Sequence, residues 1–298
     1  MSKITKLGLG IIAFEGTEHL KNIIYEIRDY CDTIVICLQK TSYHGDPIKQ
    51  EDIDDIELLK ECKLADNIIW FEPTNLYENE PKIGPRLVET DKRNFILDYL
   101  ENNEHCSHAL VIDSDEFYDR EDFRRAKEFI NSDDNIHVTY CQYINYYRDY
   151  KHLMAWPFYS YVPFISEIKF RFNFRNGSFD KPSDPTRRYV LDGNNKVYHL
   201  LSYNLIKMHH LSWIRKDIIR KIDSWSSKQL FGNVKGLREA IIERYDNYVD
   251  GQNAIIMFNV PFYQIVVNKL PKQYIHPHYK INDTPEKYIK YESRNWNS

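Results

Sequence analysis

Three carboxylates within four positions, Asp113, Asp115 and Glu116, follow an apolar run in the stretch A-L-V-I-D-S-D-E-F-Y. Residues 109–112 are strand formers, so the acids are expected at the end of a buried strand. An isolated carboxylate is costly to bury and normally neutralises or takes a partner. The cluster therefore points to a bound cation in a crevice beyond the strand end, with a solvated acidic turn as the alternative. Far downstream the chain reads M-H-H-L-S-W from Met208 to Trp213. A lone histidine is more often a hydrogen-bonded structural residue than a ligand, so His209 and His210 gain weight only if they meet the acids. Adjacent residues on an extended chain point opposite ways, so one of the two faces the acids and the other is spare.

The elements that must position these residues begin with alternation. Apolar runs at 7–14, 33–38, 67–71 and 108–112 read as buried strands, and helical spacing of apolar residues separates them at 20–27, 53–62 and 88–102. Strand and helix in strict succession predict an α/β, Rossmann-like three-layer fold with a mostly parallel central sheet. Beyond Tyr118 the pattern loosens into a mixed half. A short helix at 123–130, a β-rich run at 136–143 and an aromatic stretch at 146–165 are expected there. Residues 168–174, I-K-F-R-F-N-F, alternate with period two. As a strand they would put Phe170, Phe172 and Phe174 on one face and Lys169, Arg171 and Asn173 on the other, offering a basic stripe to phosphates. An exposed strand kept soluble by charge is the plainer reading. Strand character resumes at 197–203, helices are expected at 216–226 and 237–248, and 254–258 and 262–267 are apolar. We read 1–270 as one domain, with 1–118 its nucleotide-binding half and 119–270 its acceptor-binding half, and 271–298 as a polar tail.

The chain has 298 residues, a net charge of -4 and 28% charged residues, enough for one large core and against disorder. That acidity argues against a general polyanion binder, though a local basic patch remains open. Tyr 23, Phe 15 and Trp 5 against Gly 10 suits ring binding, but coding bias explains most of it. Five cysteines without a C-x-x-C pair read as reduced core residues of a cytoplasmic protein. No uncharged apolar run approaches the ~20 residues of a membrane helix, and 7–14 is too short for one.

A parallel α/β half ending in Asp113-Ser114-Asp115, followed by His210 in H-L-S-W, resembles the GT-A superfamily of nucleotide-sugar-dependent glycosyltransferases. In its D-x-D-E and H-x-S-W pattern it looks like the β-1,4-mannosyl-glycoprotein N-acetylglucosaminyltransferase-like family and related bacterial and viral transferases. The resemblance spans about 7–225. It implies a nucleotide-sugar donor, most readily a UDP-sugar, and a Mn²⁺ or Mg²⁺ ion that stabilises the charge of the departing diphosphate. Oxygen ligands with one imidazole favour Mn²⁺. The resemblance makes Asp115 the principal ligand, Asp113 a ligand directly or through ribose and water, and His210 the third. It places Phe14 and Glu15 around the base and ribose, and directs Lys92, Arg93 and Asn94 at the donor, where a solvated helical turn is the competing reading. Lys169, Arg171, Arg187, Arg188 and Trp213 become candidates for phosphate or acceptor contacts.

An inverting enzyme needs a carboxylate base, and Glu116, Glu167, Asp184 and Asp192 are all available. Asp184, in a Pro-bracketed loop ahead of the arginine pair, is the expected one. The acceptor is a carbohydrate or lipid-linked hydroxyl, or a hydroxymethylated DNA base as in phage DNA glycosyltransferases, with Arg187 and Arg188 on the phosphates. Two rivals stand beside this. A sugar-phosphate nucleotidyltransferase would usually carry a basic, Gly-rich loop after strand one, where this chain reads A-F-E-G-T. A non-catalytic carbohydrate-binding protein would not need the acids and histidine to converge.

Overall fold

The strand formers at the N-terminus give β1 (Leu7–Ala13), and every one of its seven residues is buried. The computed structural model describes residues 3–14, 16–42, 46–73, 77, 79–81, 83–155, 160–191, 198–224, 237–247, 256–257 and 264–269. In chain order β1 is followed by α1 (Leu20–Ile27), β2 (Thr33–Gln39), α2 (Gln50–Glu61), β3 (Asn67–Phe71), α3 (Gly84–Asn102) and β4 (His108–Asp113). The second half adds β5 (Glu116–Phe117), α4 (Arg120–Asn131), β6 (Thr139–Tyr147), β7 (Asp149–Ala155), β8 (Tyr161–Pro163) and β9 (Ser166–Glu167). It continues through β10 (His199–Leu200), β11 (Lys207–Trp213), α5 (Ile218–Ser224), α6 (Leu237–Asp246), β12 (Ile256–Met257) and β13 (Gln264–Lys269).

The first sheet runs β3-β2-β1-β4-β9. Its first four strands are parallel, and only β9 is antiparallel. Strand residues of alternating parity feed two cores. Leu7, Leu9 and Ile11 pack with α1, α2 and α4, while Val35, Cys37 and Val111 pack with α3 on the opposite face. The result is the three-layer α/β arrangement expected from the alternation. β1 shows why its glycines are there: a Cβ on Gly10 would lie 2.1 Å from Ile96, and one on Gly8 2.7 Å from Leu100. Bare backbone lets α3 approach the sheet closely.

The second sheet is mixed, in the order β12-β13-β7-β6-β11-β5, with β8 and β10 also on β6. Here the sequence reading needs correcting. Residues 168–174 form turns instead of a strand, and Phe172 makes a single bridge to Tyr189. Its ring stacks on Tyr189 at 4.4 Å, so the apolar alternation is satisfied by local packing without a ladder. α3 starts at Gly84, ahead of the expected 88, because Pro85 suits the first helical turn, whose N–H groups need no partner. Strand structure within 197–203 is limited to β10, and the helix expected at 216–226 is seen as α5. The tail 271–298 lies outside the described residues. Cys62 is exposed whereas the other four cysteines are buried, and all five are unpaired. Among the described residues no helix is long and apolar enough to cross a membrane.

Candidate active site

The acid motif is the point where the chain leaves one sheet and enters the other. β4 ends at Asp113 in the first sheet, and after two intervening residues β5 begins in the second at Glu116. The turn is pinned from both sides: the Ser114 N–H donates to the Ile12 carbonyl at 3.0 Å, and the Leu211 N–H to the Asp115 carbonyl at 2.8 Å. β5 pairs antiparallel with β11, which sets His210 opposite Glu116. β11 pairs parallel with β6, which sets His210 beside Asn145. The two sequence signals are thus neighbours in space, and His210 is the histidine on the acid side. His209 turns away, where its Nδ1 meets the Tyr146 hydroxyl at 2.7 Å.

Asp113, its side chain 28% exposed, has both oxygens held by arginines. Arg93 Nη2 donates to its two oxygens at 2.9 and 3.2 Å, and Arg187 Nη2 donates to Oδ2. Arg187 also reaches Glu116 Oε1 at 2.6 Å, and Arg93 reaches Glu89 Oε1 at 2.7 Å. The other Glu116 oxygen accepts the Asp113 N–H at 3.1 Å, closing the turn on itself. Burial would raise the Asp113 carboxyl, but Arg187 and Arg93 outweigh it and hold it below the usual range. Glu116 is 1% exposed, and there burial outweighs Arg187 and pushes the carboxyl up to about 7.

Asp115 is the more deeply buried of the two, 2% exposed, and its cations crowd one oxygen. Arg215 and Lys221 both reach Oδ2, the lysine at 3.5 Å. Burial would raise this carboxyl too, but Lys221, Arg215 and His210 hold it well below its ordinary value. Its other oxygen lies 3.6 Å from His210 Nε2. The opposite ring nitrogen, Nδ1, is 2.6 Å from Asn145 Oδ1, an amide oxygen that only accepts. Nδ1 therefore carries the hydrogen, and the Nε2 lone pair faces a carboxylate. Withdrawal from water lowers the imidazole, Asp115 raises it, Lys221 and Arg187 lower it, and the net shift is downward. Two lone pairs held face to face want a cation between them. Ligands each about 2.1 Å from one ion stand about 3 to 4 Å apart, so this pair has suitable spacing. Among the described residues no group of three or more His, Cys, Asp and Glu side chains converges as a metal site. Asp113, with both oxygens on arginines, is not offered as a ligand; Asp115 and His210 are.

The other expected site residues divide. Lys92 and Arg93 are 1% and 0% exposed, which removes the solvated-turn reading. The Lys92 ammonium points under the strand ends, 3.3 Å from the Ala13 carbonyl, and burial lowers its pKa. Asn94 instead braces the fold, bonding the Phe172 backbone through both amide atoms at 2.9 Å. The basic stripe is not presented: Lys169 pairs with Glu167, and Arg171 with Asp98 and Glu101. Arg188 bonds Ser183 at 3.0 Å, so Arg187 and Arg188 form no joint phosphate face. Asp184 caps the turn that carries Arg187, accepting the Thr186 N–H at 2.9 Å, and Trp213 packs near Tyr147 at a centroid distance of 6.1 Å. Phe14 lies 5.9 Å beneath the Arg220 guanidinium. Glu15 and Asp192 lie outside the described residues.

A polar cleft of about 270 Å³ lies between the turn at Gly16–Glu18, the start of α2 and the approach to α5; Asp115 and His210 do not line it, but Arg215 and Lys221, which bond Asp115, do. Arg215, Arg220 and Lys221 line it, and sequence reasoning missed all three, together with Asn145. Of these only Arg215 had a usable signal, since it follows the H-L-S-W stretch closely. No protein-family model and no curated protein matches the chain.

Proposed function

We propose that this chain is a divalent-cation-dependent glycosyltransferase of the GT-A type, taking its sugar from a nucleotide-diphosphate donor. The observation that carries the reading is the Asp115–His210 pair, whose opposed lone pairs sit beyond the ends of β1 and β4, behind Arg215 and Lys221 in the wall of a polar cleft. In an open parallel sheet this crevice is where ligands bind. Two protein ligands, with donor phosphates and waters completing the shell, are how a Mg²⁺-like ion is commonly held, and the imidazole favours Mn²⁺. When bound, such an ion stabilises the charge that develops on a diphosphate leaving group. Lys92 lies buried under the β1 end beside the Ala13 carbonyl, and Asn145 keeps the His210 lone pair aimed.

The acceptor we propose is a carbohydrate hydroxyl. The cations a DNA backbone would require, Lys169, Arg171, Arg187 and Arg188, are engaged within the protein. A second reading, a sugar-phosphate nucleotidyltransferase, is favoured by one contact: Arg215 lies against Gly16, supplying a cation at the strand-one turn where the local sequence has none. Product analysis separates the two. A panel of nucleotide-sugars with Mn²⁺ is expected to yield free nucleoside diphosphate and transferred sugar, and His210→Gln to weaken the Mn²⁺ dependence. Turnover that is unchanged in excess chelator would sink the cation reading, and pyrophosphate release from a nucleoside triphosphate plus sugar phosphate would favour the second.

A further inference from the structure

Asp115 is a buried carboxylate with more positive charge around it than it needs. Arg215 and Lys221 both bond Oδ2, while Oδ1 faces His210 Nε2 at 3.6 Å. A buried charge without a partner is costly, so with the cation site empty these two side chains keep the carboxylate charged inside the protein. Together they already exceed the one charge they neutralise. A divalent ion between Oδ1 and His210 would add to that excess, and like charges repel strongly where water is scarce. One of the resident cations has to give way.

The two are not equally free to leave. Arg215 is built in: its side chain is 4% exposed and Nε donates to the Ser212 carbonyl at 3.3 Å. The Gly16 turn closes over the guanidinium, since a Cβ on that residue would lie 1.6 Å from Nη1. Lys221 is held by less. Its side chain is 25% exposed, and its ammonium stands 3.5 Å from Oδ2, at the outer limit of a hydrogen bond. Among the described residues Asp115 is its one ion-pair partner. It lines the cleft, so leaving Asp115 carries it into open space instead of through packed side chains. Its charge bears on His210 as well, so it opposes a cation at both members of the pair.

We infer that Lys221 is a latch on the cation site: it holds Asp115 while the site is empty and swings into the cleft before a divalent cation can settle between Asp115 and His210. Lysine and ion compete for one carboxylate, which sets cation affinity below what the two ligands alone would give. This rests on the cation site of the reading above and concerns its regulation. The test is calorimetric titration of the full chain with Mn²⁺ alone. Lys221→Gln is expected to bind Mn²⁺ about tenfold tighter or more than the wild type, because a charge-assisted bond no longer has to be broken. Lys221→Ala, which also clears the site, should match it, and Asp115→Asn should not bind. Lys216→Gln removes the same charge from a cleft residue that does not bond Asp115, and should stay within about threefold of the wild type. Equal or weaker binding by the Lys221 variants, or an equal gain in Lys216→Gln, overturns the latch and leaves the cation site standing. No Mn²⁺ binding by the wild type or the Lys221 variants overturns the cation site and the latch with it. A working latch without sugar transfer from nucleotide-sugars would overturn the glycosyltransferase reading alone.

Discussion

Asp113 and Asp115 stand two residues apart on one turn, yet they meet opposite environments. Around Asp113 two arginines, Glu89 and Glu116 close a nest in which every carboxylate has its cation. Around Asp115 two cations crowd one oxygen, and the other oxygen faces an imidazole lone pair at 3.6 Å behind the wall of a cleft. A D-x-D spelling therefore does not assign two equal ligands. The first acid fastens the turn to α3 and to the Arg187 loop, and the second is buried against Arg215, Lys221 and His210.

The largest test of that contrast is Asp115→Asn. It is expected to cut turnover about a thousandfold or more, because a Lewis-acid site is worth several kcal/mol at the transition state. Mn²⁺-dependent thermal stabilisation should disappear with it, and turnover within tenfold of wild type would break the comparison. On the Asp113 side, Arg187→Met strands the buried Glu116 and leaves Asp113 to Arg93 alone, and urea denaturation should register a loss of about 3–5 kcal/mol, the cost of breaking a buried pair. A loss near zero would mean that the nest holds nothing together.

A smaller effect follows from His19, on the Asp115 side. Its Nε2–H donates to the Ile214 carbonyl at 2.6 Å, and burial, aided by Arg215, lowers its pKa to about 4. Between the ordinary value near 6.5 and about 4 the unfolded chain binds a proton that the folded chain refuses. Stability contributed by the neutral ring is therefore full above that window and falls as the pH is lowered through it, by up to about 3 kcal/mol. Urea midpoints at pH 7 and 4.5 for the wild type and His19→Gln check this, since the variant should lose less on acidification. His108, at the start of β4, is also lowered to about 4 and adds a term of the same sign to both proteins. The smallest effects belong to Lys169→Ala and Arg171→Ala. Their exposed ion pairs are worth about 1 kcal/mol or less, and donor turnover should not move.

The parallel half was readable because its signals are local. β1 to β4 are short apolar runs divided by periodic helices, and each pattern admits one buried face. The candidate site was readable only in part, because its charges are placed by partners far along the chain. Arg93 is legible as a helical cation, but its complete burial depends on Asp113 and on Arg187, which no periodicity announces. Asn145 gives no sequence signal; its role exists only because β6 lies beside β11. The alternation in 168–174 misled for a related reason: a period-two pattern fixes which side chains want burial, and here Tyr189 buries Phe172 without a neighbouring strand.

The pairing of His210 with Glu116 joins segments roughly ninety residues apart, a contact of high sequence separation whose loop entropy must be met before it can form. The first sheet carries a contact just as distant, since β1 pairs with β4 and sets Leu7 beside His108. On refolding, helical signals should therefore return ahead of both pairings, and the meeting of Asp115 with His210, which needs the two sheets joined, should be among the last contacts the chain regains.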